Sequence, residues 1–313
     1  MSVPANTVQT QSVVGLREDL SDIIHNLMVT DTPLYSKATK KKASAVKHEW
    51  LTDDIRQGED NAHVDGADTV ANARTPRVRL QNYTQIFKEA VVVSGSADSG
   101  DYAGSRSVLS DEMFKSMKSI KKDVEFALFK NQAAVAGNNT TARRLAGLPA
   151  WIATNTVAGA GGIDPTGDGS DARTDGTLET FVEADLKETL QNMWNEGAKP
   201  DTVYLRPDLL ATAASFTGNA PRREMKDAGK VSAQIDVYVT NFGEVQFVPH
   251  REIRETDVIV TDSSRMYVAE YRPFKQEPLA KTGDAEKRQI IGELTLAPGN
   301  EKALGMIADR QAA

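Results

Sequence analysis

Polar and apolar positions alternate in two stretches near the start of the chain. In SAVKHEWLTD (residues 44–53), Val46, His48, Trp50 and Thr52 alternate with Lys47, Glu49 and Leu51, the period of a strand with one charged face. In RVRLQNYTQIFKEAVVVS (77–94), Val78 and Leu80 alternate with Arg77, Arg79 and Gln81, and the run ends in Val91, Val92 and Val93. This predicts a second, longer strand. The residues between them are rich in Asp, Gly, Ala and Asn, so the pair reads as a hairpin with a wide polar tip. An isolated hairpin is marginal in water. A long loop inside a compact domain is uncommon unless it has a job. The arm therefore needs a surface to lie on, although an ordinary flap or an edge hairpin on its own sheet also satisfies the pattern.

Helical spacing appears elsewhere. Leu20, Ile23, Ile24 and Leu27 predict a short amphipathic helix over 17–28, after a polar arm (1–16) and before a turn at Asp31, Thr32 and Pro33. Leu109, Met113, Phe114, Met117, Ile120, Val124, Leu128 and Val135 recur mostly in threes and fours. They predict a helix over about 105–136, capped by Ser105 or Ser107 and closed by Gly137 and Asn138. At ~1.5 Å per residue it would be roughly 45–50 Å long. Lys115, Lys118, Lys121 and Lys122 crowd its polar side, a pattern that a solvated face produces equally well. Leu178, Phe181, Val182, Leu186, Leu190 and Met193 predict another helix, with Thr177 as cap and Gly197 as stop. TVYLRPDLLATAASF reads as a strand and then a helix opened by Pro207. IDVYVTN, EVQFVPH, DVIVTD and RMYVAEYR read as short strands, and a hairpin-like pair closes the chain. Residues 157–176, dense in Gly, Asp and Thr, form the clearest loop. The class is α+β, with helices in the middle and strands toward both ends.

Composition adds limits. With 40% apolar and 26% charged residues, the 313-residue chain can build a core as one large or two modest domains. A net charge of −7 without a dense basic stripe argues against tight nucleic-acid binding, which needs cations to release counterions. The absence of cysteine removes disulfides, thiolate nucleophiles and cysteine-ligated metals, and is compatible with a reducing compartment. No signal peptide is visible, and no apolar run approaches the ~18 residues of a membrane span. His25, His48, His63 and His250 make no H-E-x-x-H or H-x₃-H pattern. The glycines at 159–162 precede no Lys-Ser or Lys-Thr and open no helix, so they read as loop and not as a phosphate cradle. The carboxylates Asp53, Asp54, Glu59, Asp60, Asp65 and Asp68 miss the spacing of a calcium loop and read as a solvated tip or as partners for cations. Catalytic, cofactor and metal sites are therefore not expected.

Several stretches, in order, resemble one family. LREDLSDIIHNLMVTDTPL, KHEWLTDDI, DGAD at 65–68, NYTQIF, VVVSG at 91–95, RRLAGLPAWIATN and YLRPDLL are similar to the major capsid protein of tailed bacteriophages, with the HK97-like fold. The resemblance implies an N-arm (1–44), an extended E-loop hairpin (45–94) and a peripheral domain (95–177) with a long spine helix near 105–136. An axial domain (178–261) and a return to the peripheral domain (262–313) follow. It implies a protein that is not an enzyme and that self-assembles, as hexamers and pentamers, into an icosahedral head around double-stranded DNA without gripping it. Portal, scaffolding and decoration proteins are candidate further partners, no membrane is involved, and the virion capsid would assemble in the bacterial cytoplasm. The expected inter-subunit contacts are Asp53 and Asp54 against Lys115, Lys118, Lys121 and Lys122, with Trp50, Ile86 and Phe87 as apolar anchors. Alternatives are an encapsulin-like compartment of the same fold, another virion protein, and a hydrolase using axial-domain carboxylates.

Overall fold

The computed structural model describes residues 32–100, 107–216 and 237–312, apart from residues 57, 67, 69–73, 75 and 241. The helix expected over 17–28 lies outside them. The chain opens with α1 (Pro33–Lys37), β1 (Thr39–Lys42), β2 (Lys47–Thr52), β3 (Val78–Tyr83), β4 (Gln85–Ser94), α2 (Gly95–Asp98) and the long helix α3 (Val108–Phe129). The middle holds β5 (Thr156–Val157), β6 (Glu179–Thr180), α4 (Glu183–Asn195), β7 (Thr202–Leu205) and α5 (Pro207–Ala214). The remainder is β8 (Val237–Thr240), β9 (Gly243–Pro249), β10 (Val258–Thr261), β11 (Tyr267–Pro278), β12 (Ala285–Ala297), β13 (Leu304–Ile307) and β14 (Arg310–Gln311). The expected strands of the last third are present, and Pro207 opens α5 at its first turn.

Two sheets organise the subunit. One has the order β1-β11-β12-β4, the other β5-β13-β10-β7-β9-β8. Strands β7 and β10 lie inside the second sheet, and every side chain on them is buried. Val203, Leu205, Val258 and Val260 face a core that includes α4 and α5. Tyr204 and Ile259 face the larger core under α3. A strand covered on both faces reads as a continuous apolar run, which is why VIVT and TVYL lack alternation.

Three boundaries differ from the sequence reading. The expected long strand over 77–94 is two strands broken at Thr84. There the Thr84 hydroxyl donates to the buried Glu293 carboxylate (2.5 Å), and Asn82 donates to the Leu296 carbonyl (2.7 Å). The break hands the chain from the β2–β3 hairpin to the four-stranded sheet, where β4 pairs with β12. Helix α3 is capped by Ser107 but stops at Phe129, after 22 residues or about 33 Å. Its end is set by tertiary contacts. Phe129 packs against the rings of Tyr204 and His250 (5.3 and 4.1 Å), and Gly147 sits so close that a Cβ there would lie 1.9 Å from the Lys130 carbonyl oxygen. Val135 leaves the helix and bridges to Arg144. Helix α4 starts at Glu183 and not beside Thr177, because residues 179–180 are taken as a strand by β14.

Buried carboxylates join distant segments. Glu125 on α3 accepts from the first-turn amides of Leu34 and Tyr35 (2.8 and 2.9 Å), capping α1 from another element, and from His250 Nε2 (2.9 Å). The His250 Nδ1 accepts from the amides of Glu252 and Ile253, so Nε2 is the protonated nitrogen that donates to Glu125. Asp309, at a φ of 59°, takes both Arg173 Nη atoms (3.2 and 2.6 Å), and this pair orders the 157–176 loop. Burial works against the Asp309 charge, but the Arg173 hydrogen bonds and charge outweigh it and hold its carboxyl below the usual range.

Glu125→Ala leaves three buried donors without an acceptor, at ~1–3 kcal/mol each. Urea denaturation of the unassembled subunit should show a loss of several kcal/mol, smaller for Glu125→Gln. A loss under ~0.5 kcal/mol, the size of an ordinary surface change, would remove the carboxylate from this role. Asp309→Asn breaks a buried pair and is expected to cost on the order of 3–5 kcal/mol at pH 7. Because the folded pKa of Asp309 is depressed, its stabilisation is complete above its unfolded value of about 3.9 and is lost as pH falls through the lower folded value. The gap between wild type and Asp309→Asn in urea midpoint should therefore close below about pH 4; a constant gap would assign the effect to packing.

Candidate assembly surfaces

The β2–β3 hairpin is held by its root. Strand β2 turns His48, Trp50 and Thr52 inward and Lys47, Glu49 and Leu51 outward, as the alternation predicts. The Trp50 ring lies 5.3 Å from Trp151, and its Nε1 donates to the Gly299 carbonyl (2.8 Å). His48 stands beside it (5.9 Å) and shares a hydrogen bond with the Tyr267 hydroxyl (3.0 Å). Burial, with the charge of Lys41, pushes the His48 pKa down. Asp54 bonds Lys302 (3.2 Å) and Asn300 (3.1 Å), while Lys302 also reaches Glu196 (2.9 Å). The hydrogen bond to Glu196 is the first cause of the raised Lys302 pKa, and Asp54 adds to it. Asp53 pairs with Arg77 across the hairpin (2.9 Å), with both side chains still open to solvent.

These contacts revise the expected division of labour. Trp50 and Asp54 are occupied on their own subunit. Phe87, only 6% exposed, belongs to the core of its own chain, whereas its neighbour Ile86 points outward. Strand alternation separates the two. Beyond the root, Leu51, Ile55 and Val64 are exposed, Ile55 almost completely at 95%. The alternation places Leu51 on the outward side, but Ile55 and Val64 carry no periodic signal because they stand alone in a charged run.

On α3 the wide apolar stripe splits in two. Leu109, Met113, Ile120, Val124 and Leu128 face the subunit's own core. Phe114 (56% exposed), Met117 (50%) and Phe126 face outward. Lys118 lies over the Phe114 ring (4.2 Å), Lys115 pairs with Glu112 on the same helix (2.5 Å), and Lys122 reaches Glu252 (3.7 Å). Lys121 is exposed beside them. The lysines therefore lie beside exposed Phe114 and Met117, which the sequence pattern places in the same stripe as the core residues, while Phe126 lies about 180° around the helix from Met117. Among the described residues, no group of three His, Asp or Glu could hold a metal ion. The glycines of the 157–176 loop serve packing: a Cβ on Gly159 would lie 1.9 Å from the Thr177 carbonyl oxygen, and one on Gly162 2.7 Å from Arg173.

The profile of the SU10 major capsid protein family matches residues 3–311. The major capsid protein of Escherichia phage Phieco32 is 24% identical, with 94% of each chain covered. Among solved structures, the capsid asymmetric unit of cyanophage A-1(L) superposes with a TM-score of 0.64 at 12% identity, covering 96% of this chain and 98% of that one. A chain of Mycobacterium phage Adephagia gives a TM-score of 0.64 at 10% identity, with 99% of both covered. The structural likenesses establish the α+β, HK97-like fold. That fold also serves cellular compartments, and it is the family match that decides between them. The chain belongs to the SU10 major capsid protein family, as a structural subunit of a bacteriophage capsid shell and not an enzyme.

Proposed function

We propose that copies of this chain close, as hexamers and pentamers, into an icosahedral head around double-stranded DNA, with each hairpin lying on the long helix of the next subunit. The observation that carries this reading is a pair of uncovered apolar surfaces on one chain: Leu51, Ile55 and Val64 along the hairpin, and Phe114, Met117 and Phe126 along α3. Covering the exposed half of one such side chain on α3 contributes ~1 kcal/mol, about half the value for full burial. Exposed ion pairs between the acidic tip and the lysines of α3 add only ~0–1 kcal/mol each, so charge sets register and the apolar strip supplies strength. In this reading Trp50, Asp54 and Phe87 brace the arm from within, while Asp53, Ile86, Lys115, Lys118, Lys121 and Lys122 border the contact.

The same reading assigns 1–44 to an N-arm, 45–94 to the E-loop, 95–177 with 262–313 to a peripheral domain, and 178–261 to an axial domain. Most of the core around α4 and α5 comes from 178–261, which supports an axial unit, but Ala303 and Ile307 join that core and β13 joins its sheet, so the last segment serves both units. A net charge of −7 suits a container whose wall must not hold its DNA. Assembly would take place in the host cytoplasm, with portal, scaffolding and decoration proteins as the further partners of such a head.

Phe114→Asp combined with Met117→Asp is expected to leave the subunit folded, since both side chains are exposed. At a concentration where wild type forms shells, sedimentation velocity and electron microscopy should find free subunits. Normal shells from the double variant would sink the proposed contact. Lys121→Glu should raise the concentration needed for assembly at low salt, and the difference should vanish near 1 M salt, where the Debye length is about 3 Å. An equal effect at both salts would mean that charge is not what Lys121 contributes.

A further inference from the structure

The chain has no cysteine, so the thioethers of its methionines are the only sulfur that an oxidant meets. Among the described methionines, Met193, Met266 and Met306 are buried in the two cores. Met113 lies on the inner side of α3 and is only 5% exposed. About one turn further along the same helix, Met117 is 50% exposed. Two thioethers on one helix thus differ in the access that an oxidant has to the sulfur lone pair. Met117 also stands beside Phe114, on the part of α3 that the hairpin of the next subunit is proposed to cover. The accessible sulfur and the contact surface coincide.

We propose that Met117 is a modification site through which peroxide controls assembly: its sulfoxide holds a free subunit out of the shell, and entry into the shell shields the sulfur. The step needs no group from the protein. The thioether sulfur attacks one peroxide oxygen, the O–O bond breaks as the S–O bond forms, and proton transfer within the peroxide releases water. The sulfur is oxidised by two electrons and the peroxide is reduced by two. A flexible apolar side chain becomes a polar one. Its new oxygen is a hydrogen-bond acceptor, and covering it strips away water. Leu51, Ile55 and Val64, the side chains proposed to meet this surface, carry no donor to replace that water. The subunit itself keeps its fold, because Met117 belongs to neither core. A methionine sulfoxide reductase with a dithiol reverses the change, which makes the site a switch and not a lesion. The inference rests on the contact proposed above.

Free full-length subunits are treated with dilute hydrogen peroxide and quenched. Peptide mass spectrometry then reads the sites of oxidation, and sedimentation velocity with electron microscopy reads assembly. Sulfoxide is expected at Met117 well ahead of Met113, and the concentration needed for shells should rise roughly fivefold or more. Met117→Leu keeps the size and helix propensity of the side chain and retains every other methionine. Its own assembly concentration, whatever that is, should not move on peroxide treatment. Reductase with dithiothreitol should return oxidised wild type to its starting concentration, and this decides the matter if the leucine variant forms no shells. Equal oxidation of Met113 and Met117, unchanged assembly of the Met117 sulfoxide, or no recovery with reductase would each overturn the inference. So would an equal peroxide effect on the leucine variant. Closed shells test the contact separately. A Met117 that is as reactive in shells as in free subunits would sink the contact, whereas one that is protected in shells yet harmless when oxidised beforehand would sink the switch alone. Wild type that forms no shells at all would remove both.

Discussion

Helix α3 carries more apolar surface than the described residues cover. Its inner side packs Leu109, Met113, Ile120, Val124 and Leu128 into the larger core. Its outer side still presents Phe114, Met117 and Phe126 to solvent. A soluble helix facing one core has one apolar stripe and a polar remainder. Phe114 and Met117 adjoin that stripe and Phe126 lies on another face, and the described residues leave all three exposed. The hairpin has the complementary difficulty, since a two-stranded ribbon cannot bury both of its faces. Its root solves half the problem with Trp50 against Trp151. The exposed half of each element is the part that a shell of identical subunits can satisfy.

Separating inner from outer contacts requires the subunit to hold its shape alone, and three buried carboxylates contribute to that. Glu125 joins α1, α3 and the turn after β9. Glu293 joins the strand break at Thr84 to Arg143 and Arg272. Asp309 joins the glycine-rich loop to the end of the chain through Arg173. Burying such charges costs desolvation, so their net contribution to stability is small beside that of the cores. Each does impose a geometry, because a carboxylate with two or three donors leaves few orientations for the elements that carry them.

Much of this was legible. Alternation in 44–53 gave the inward and outward sides of β2, and apolar runs in the last third gave strands, of which β10 is buried on both faces. What escaped was set by partners remote in sequence. Nothing local stops α3 before Gly137, and the helix ends at Phe129 because Gly147 and the rings of Tyr204 and His250 close over it. The break at Thr84 falls inside an unbroken β pattern, since the groups that bend it, Glu293 and Leu296, lie over two hundred residues away. For the assembly surfaces, residue types were informative but not allegiance. Trp50, Asp54 and Phe87 had the right chemistry for an interface and are engaged by their own chain. Phe114 and Met117 were counted in the core stripe and lie outside it.

The distribution of strength along the hairpin follows from the same constraint. Its root is tied by an aromatic pair, an indole hydrogen bond and the Asp54–Lys302 contact, while its tip carries isolated apolar residues among charges. Solitary residues such as Ile55 and Val64, set among acids, do not make the large contiguous patch that drives indiscriminate association. In the proposed contact each would contribute little, and the sum around a closed shell would be large. A shell of hexamers and pentamers, as proposed, would ask one sequence to make the same contact at more than one angle. A tightly interlocked interface resists such variation, because close-packed surfaces deform only at a cost. A rigid root with a sparse, charged tip would tolerate it: the root fixes where the arm points, and in the proposed contact the tip would meet the neighbouring helix through a few separable side chains.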